Sequence, residues 1–266
     1  MSTAFDEALA AVRTDLARRQ TRAPLDEVKA RALAQPSAVD GVRALCGDGI
    51  AVIAEVGPAS PAKGDLAAEY EQAKANAISV PISLSLPDPD RHLRDLMDVR
   101  VRVQVPVLSK SLVISSYQLW EARAHGADLA MLIVAALDQQ ALVSLIERAE
   151  SIGLCALVEV HDEREMLRAV DAGARIIAVN PRDLATGEVD QEALARLLPF
   201  IPDGIVRVAE CGPAGRGDLI ACARAGADAV LTGQSLLAST NPRDTVAGLV
   251  AVGAHPALGR RRRQTA

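Results

Sequence analysis

Several short apolar runs in this chain stop at, or just before, a side chain that can move a proton or hold an anion. Ile53-Ala54 leads to Glu55, Val107-Leu108-Ser109 to Lys110, Leu157-Val158 to Glu159, Ala178-Val179 to Asn180 with Arg182 close behind, and Val208-Ala209 to Glu210. Carboxyl groups set beside one ammonium are the makings of general acid–base chemistry, and the amide and guanidinium can orient a carbonyl or a carboxylate. Lys110 stands out because the only other lysines are Lys29, Lys63 and Lys74 among 29 basic residues. Two later segments, Cys211-Gly212-Pro213 and Thr232-Gly233-Gln234-Ser235, set a glycine directly after a run. Backbone N–H groups exposed there are suited to a phosphate, and Ser235-Leu236-Leu237 reads as the opening of a short helix.

These residues work together only if the runs lie side by side. Eight candidate strands follow in order: Ile50–Val56, Ala77–Ser83, Val105–Leu108, Leu129–Val134, Cys155–Val160, Ile176–Asn180, Ile205–Glu210 and Ala229–Leu231. None alternates cleanly between apolar and polar residues, as expected of parallel strands covered on both faces. Helical patterns lie between them, including Leu142–Ser151, Asp162–Ala172 and Gln191–Leu198. A phrase recurs at three helix ends: His125-Gly126-Ala127-Asp128, Ala172-Gly173-Ala174-Arg175 and Ala225-Gly226-Ala227-Asp228. In each the glycine predicts a left-handed helix stop with a strand immediately after it. Eight such units predict an α/β fold, a (β/α)8 TIM barrel whose chemistry sits at the C-terminal ends of its strands. A doubly wound open sheet is the alternative, but Glu55-Val56-Gly57-Pro58 lacks the Gly-rich turn expected after its first strand. Residues 1–49 form an N-terminal helical extension broken at Pro24 and Pro36. A single barrel domain is expected over 1–255, followed by a basic tail at 256–266 that carries Arg260–Arg263.

Composition excludes several function classes. Half of the 266 residues are hydrophobic, enough for a large core, and the net charge of -5 argues against a nucleic-acid partner. Aromatic residues make up 2%, too few for base-stacking platforms. No apolar stretch reaches the roughly 20 residues of a membrane helix, and Met1 to Arg19 lacks the apolar core of a secretion signal. Cys46, Cys155, Cys211 and Cys222 stand far apart and read as reduced thiols of a cytoplasmic protein. Cys155 and Cys222 are expected to be buried, and Cys211 to be a reactive thiol beside a helix start. His92, His125 and His255 have no partner at ligand spacing, so no metal site is expected. His161 reads as a loop residue, and Tyr117, Trp120 and Phe200 as packing.

The combination Ile53-Ala54-Glu55-Val56 with Ala59-Ser60-Pro61, Pro106-Val107-Leu108-Ser109-Lys110, Ala156-Leu157-Val158-Glu159-Val160-His161, Asn180 with Arg182-Asp183-Leu184, Ala209-Glu210 and Ala225–Gly233 resembles the indole-3-glycerol phosphate synthase family of tryptophan biosynthesis. The similarity covers nearly the whole chain. It implies a lyase that needs no cofactor or metal and closes 1-(2-carboxyphenylamino)-1-deoxyribulose 5-phosphate to indole-3-glycerol phosphate, releasing CO2 and water. By matching position, Lys110 is the general acid and Glu159 the acid/base of the dehydration. Glu55 and Asn180 orient lysine and substrate, and Arg182 holds the carboxylate. Ser60, Cys211, Gly212, Gly233 and Gln234 fall at the phosphate site, with Glu210 beneath it. The partner expected is this phosphorylated small molecule, met by a monomer or weak homodimer.

Where the family carries a lysine two residues after the strand-one glutamate, this chain has Gly57, followed by Pro58. Where the family reads Arg-Lys-Asp-Phe, this chain reads Ser109-Lys110-Ser111-Leu112, and the loop at 83–90 also departs. Two readings stay open. One is an altered synthase in which Lys63 reaches in for the missing lysine. The other is a paralogue that keeps a sugar-phosphate pocket and acts on another substrate or as a regulatory or binding protein.

Overall fold

The computed structural model describes residues 4–57, 60, 62–81, 90–210 and 215–258. Eight parallel strands close on themselves in sequence order: β1 (Ala51–Glu55), β2 (Ala77–Pro81), β3 (Val107–Lys110), β4 (Leu129–Ile133), β5 (Cys155–Val160), β6 (Ile176–Val179), β7 (Val206–Glu210) and β8 (Ala229–Thr232). β8 returns to β1 with Ala51 opposite Ala229 and Ala54 opposite Thr232. Outside the sheet lie α4 (Lys63–Gln72), α5 (Arg91–Arg100), α6 (Ser116–Ala124), α7 (Gln139–Ser151), α8 (Glu163–Asp171), α9 (Ala193–Leu197), α10 (Arg216–Arg224), a short α11 (Gln234–Ala238) and α12 (Pro242–Gly253). The chain opens with α1 (Ala4–Arg22), α2 (Leu25–Leu33) and α3 (Gly41–Leu45).

Successive strand residues point to opposite faces, and here that splits the apolar residues into two cores. Ala51, Ile53, Leu108, Met131, Leu157, Ile176, Val208 and Leu231 fill the barrel interior. Val52, Ala54, Val80, Leu132, Val158, Val179 and Val230 face the helices. Leu45 of α3 joins the interior set, so this helix plugs the N-terminal end. Gly41 fits there because a Cβ would come within 2.7 Å of the Leu129 side chain. Two residues beyond the last interior apolar position of β1, β3, β5 and β7 stand Glu55, Lys110, Glu159 and Glu210. The same two-residue step that builds the core therefore gathers these four polar groups at the other end.

The recurring helix stops do what their glycines suggest. Gly126, Gly173 and Gly226 have φ of 86°, 81° and 97°. The aspartates that follow in two of the phrases brace the neighbouring strand. Asp128 accepts from Val107 N at 2.9 Å, Val39 N at 2.8 Å and Arg100 Nη1 at 2.6 Å, while Asp228 accepts from Arg207 N at 2.9 Å. Asn76 does likewise for Val52 N at 2.9 Å. Nothing lies within 4 Å of a Cβ at Gly173, so only backbone strain opposes Gly173→Ala. We expect it to cost about 1 kcal/mol, a fall of roughly 2–4 °C in Tm, read by thermal melting.

The third strand lies two residues later than its apolar run suggests. Pro106 has no N–H to give, and Val105 is occupied by Glu71 Oε1 and Arg100, so pairing begins at Val107 and takes in Lys110. The fourth strand is one residue shorter than expected, because Val134 opens a 3-10 turn. On the N-terminal extension, Leu16, Val28 and Ala32 pack on Tyr117, Trp120 and Ala124 of α6. A buried ion pair between Arg19 and Glu121 ties α1 to the same helix. Phe200 is not a packing residue: it sits in a 3-10 turn and is 67% exposed. Cys222 is buried and Cys155 partly so. The tail with Arg260–Arg263 lies outside the described residues. Among the described residues, no helix is long and apolar enough to cross a membrane.

Candidate active site

At the C-terminal mouth a cavity of about 400 Å³ is walled by Glu55, Lys110, Asn180, Arg182, Glu210, Gly233 and Gln234, together with the apolar Val189, Leu231 and Leu237. Lys110 Nζ lies 2.5 Å from Glu210 Oε1 and 3.1 Å from Glu55 Oε2. Ser79 Oγ of β2 donates to the same Glu55 oxygen at 3.3 Å. Burial works against an ammonium, but Glu210 and Glu55 outweigh it and hold the Lys110 pKa above the ordinary lysine range. The steadying acid that Ser111 cannot supply thus comes from across the barrel.

Glu159 is 3% exposed and is not part of the cavity wall. Asn180 Nδ2, which does line the wall, donates to Glu159 Oε1 at 3.2 Å. Burial pushes the Glu159 pKa up, but His161, Lys110 and Asn180 together bring it below the usual carboxylate range. Glu210 goes the other way. Burial, then the charge of Glu159, lift it to about 8 despite its contact with Lys110. One of its oxygens is buried without a partner among the described residues. Lys110 and Glu210 therefore pull on each other in opposite directions: the ammonium holds the carboxyl down while burial and Glu159 push it up. Acids and cations thus alternate around the mouth, Lys110 between Glu55 and Glu210 and His161 beside Glu159, which is how so many ionisable groups can share one site.

Arg182 owes its place to the loop after β6. Asp183 Oδ1 accepts from Ala185 N and Thr186 N at 2.8 and 2.7 Å, Gly187 turns with φ 75°, and Arg182 pairs with Val189 across the loop. Its guanidinium reaches Gly187 O at 2.8 Å and Gln234 Oε1 at 3.4 Å. Gly233 borders Glu55 so closely that a Cβ there would stand 2.5 Å from Oε1. The short helix expected from Ser235 onward is present as α11 and begins one residue earlier, at Gln234.

Of the expected site residues, Lys110, Glu55, Asn180, Arg182, Glu210, Gly233 and Gln234 meet in this cavity. Glu159 stands behind Asn180. Ser60 is part of the turn after β1, with its N–H donating to Gly57 O at 3.1 Å, and does not line the wall. Cys211 and Gly212 lie outside the described residues. Glu210 stands directly against Lys110. Lys63 does not reach in: it is 2% exposed in the first turn of α4 and paired with Asp95 of α5. His161, expected as a loop residue, contacts Glu159 and Glu165. The spacing of two from Glu159 was its available signal. Leu237 carried none, yet its Cδ2 lies 2.4 Å from where a Cβ on Gly57 would be.

Residues 5–249 match the family model described as indole-3-glycerol phosphate synthase. A protein named indole-3-glycerol phosphate synthase from Streptomyces griseus is 57% identical, covering 96% of this chain and 97% of its own length. Indole-3-glycerol phosphate synthase 1 from Streptomyces coelicolor is 56% identical with the same coverage. The solved structure of 3-hexulose-6-phosphate synthase from Salmonella typhimurium shares the fold, with a TM-score of 0.63 and 14% identity over 76% of this chain and 98% of the other.

Proposed function

Since this chain belongs to the indole-3-glycerol phosphate synthase family, we infer that it closes 1-(2-carboxyphenylamino)-1-deoxyribulose 5-phosphate to indole-3-glycerol phosphate. The observation that carries this reading is the Lys110 ammonium held between Glu55 and Glu210 at the wall of the mouth cavity.

Lys110 donates its proton to the substrate's ketone oxygen. The ring carbon bearing the carboxylate forms a bond to the ketone carbon, and CO2 leaves as its electron pair restores the aromatic ring. The new hydroxyl departs as water with one proton, a second proton is taken from the adjacent carbon, and the indole is complete. Glu159 serves as acid/base in this dehydration, within reach through Asn180, which orients the substrate hydroxyls. Glu55 orients Lys110. Closure of the mouth over the substrate strengthens the ammonium's field on the developing alkoxide. Arg182, with its apolar neighbours Val189 and Leu237, takes the carboxylate end. Ser60, Cys211, Gly212, Gly233 and Gln234 take the phosphate. The protein works as a cytoplasmic monomer or weak homodimer, one barrel domain over 1–255 with a basic tail. Indole fluorescence on mixing the purified protein with this substrate tests the activity, and a flat trace overturns it.

A second reading, a paralogue that binds a related sugar phosphate, draws on Gly57 at the position of the family's lysine, together with Ser111, Leu112 and the altered loop at 83–90. Leu237 occupies the space that a side chain at 57 needs, so Gly57→Lys by itself has to push it aside. We expect Gly57→Lys with Leu237→Ala to raise kcat/KM at least about tenfold over the parent, through one added charge contact to the carboxylate, and to exceed Gly57→Lys alone. Phosphate-dependent binding of the substrate without turnover in any of these variants selects the second reading.

A further inference from the structure

His161 follows Glu159 by two residues, so both side chains emerge on one side of the strand end. Its backbone N–H and its Nδ1 each lie 2.9 Å from Glu165 Oε2, at the start of α8. Its Nε2 lies 3.1 Å from Glu159 Oε1, the oxygen that Asn180 also addresses. This last contact is off the line of a well-formed hydrogen bond, and is an ion pair. The ring therefore bridges two carboxyl groups, one on β5 and one on α8, both largely buried. A neutral imidazole would turn a lone pair toward one of those carboxylates, and only the doubly protonated ring satisfies both.

We propose that His161 is a positioning residue for the reaction, which fixes the carboxylate of Glu159 toward Asn180 and keeps it charged as a base. This rests on Glu159 having the acid/base role given above. The other groups that face this pair are Lys110 of β3, Glu55 of β1, Glu210 of β7, Asn180 after β6, and Asp183 in the loop that follows it. Burial opposes the charge on the ring, but Glu159 and Glu165 lift its pKa from 6.5 to about 9. The sign follows. What the ring's charge adds to folding is complete below pH 6.5 and is lost as pH rises through 9. Its hold on Glu159 lapses over the same upper range.

The test uses His161→Gln, neutral and able to hydrogen bond, and Glu165→Gln as a second variant. In the parent, nitrogen NMR of the ring shows both nitrogens protonated at pH 7.5, and Glu165→Gln lowers the pH at which the ring titrates. In His161→Gln, kcat falls by about ten- to a hundredfold with KM little changed. Its acid limb moves to higher pH, because Glu159 has lost a neighbouring cation. A ring that titrates near 6.5 in the parent overturns the proposal, as does an acid limb left in place. A parent without turnover defeats the assigned reaction instead, and the ring titration still decides the bridge.

Discussion

Lys110→Ala lowers kcat by about a thousandfold or more, on the order of 4 kcal/mol of transition-state stabilisation, while the barrel still folds. Lys110 is the ammonium that Glu55 and Glu210 both address, at 3.1 and 2.5 Å. Lys63 cannot stand in for it, since its ammonium is spent on Asp95 between two helices. Arg182 is engaged by Gly187 and Gln234 on the far wall, and a guanidinium gives up no proton near neutrality. Removing the lysine also removes the cation that Glu55 and Glu210 share. Burial and Glu159 already push the Glu210 pKa up, so the protein answers the loss of the lysine by a further rise there rather than by unfolding. The measurement is the rate of indole formation, with circular dichroism as the check on folding. A variant as fast as the parent overturns the role of Lys110.

Gly233→Asp weakens substrate binding by about a hundredfold, or roughly 3 kcal/mol, and turnover falls with it. A Cβ at this position would stand 2.5 Å from Glu55 Oε1 and 3.1 Å from Glu55 Cβ. The side chain of Glu55 must move, which loosens its contact with Lys110. The new carboxylate also lies where the phosphate is assigned, and like charge adds to the steric cost. Calorimetry with a reduced, unreactive analogue of the substrate separates binding from turnover. Parent-like affinity in the variant moves the phosphate away from Gly233.

Much of this site was legible because one rule places both core and chemistry. In β1, β3, β5 and β7 the last interior apolar residue is followed, two positions on, by Glu55, Lys110, Glu159 or Glu210. A reader who counts in twos finds them without coordinates. The groups that were missed come from places where no such period runs. Leu237 lies on a five-residue helix, and its meeting with position 57 depends on the β1–β8 closure, a pairing of the first strand with the last. Val189 reaches the wall through a loop held by Asp183 and Gly187. Lys63 was misplaced because its rarity says nothing about direction: it begins α4, and α5 supplies Asp95 beside it. The sequence sets Lys110 after its strand because Pro106 is part of an apolar run but cannot take part in the pairing as a donor. His161 shows a subtler limit. Its period was right, but a histidine beyond a strand end gains meaning only once Glu165 from the next helix is brought beside it.

The aspartates and asparagine that brace the strand starts, and the leucine that stoppers the closed end, have a consequence for how such a protein can change over generations. Asp128, Asp228 and Asn76 secure the strands at the rim opposite the mouth, through bonds to Val107, Arg207 and Val52 that involve none of the residues around the cavity. Architecture and reactivity are thereby kept on separate accounts. Positions such as 57, 111 and 112 can be rewritten by selection while the scaffold remains intact, so novelty at one end need not be purchased with instability at the other.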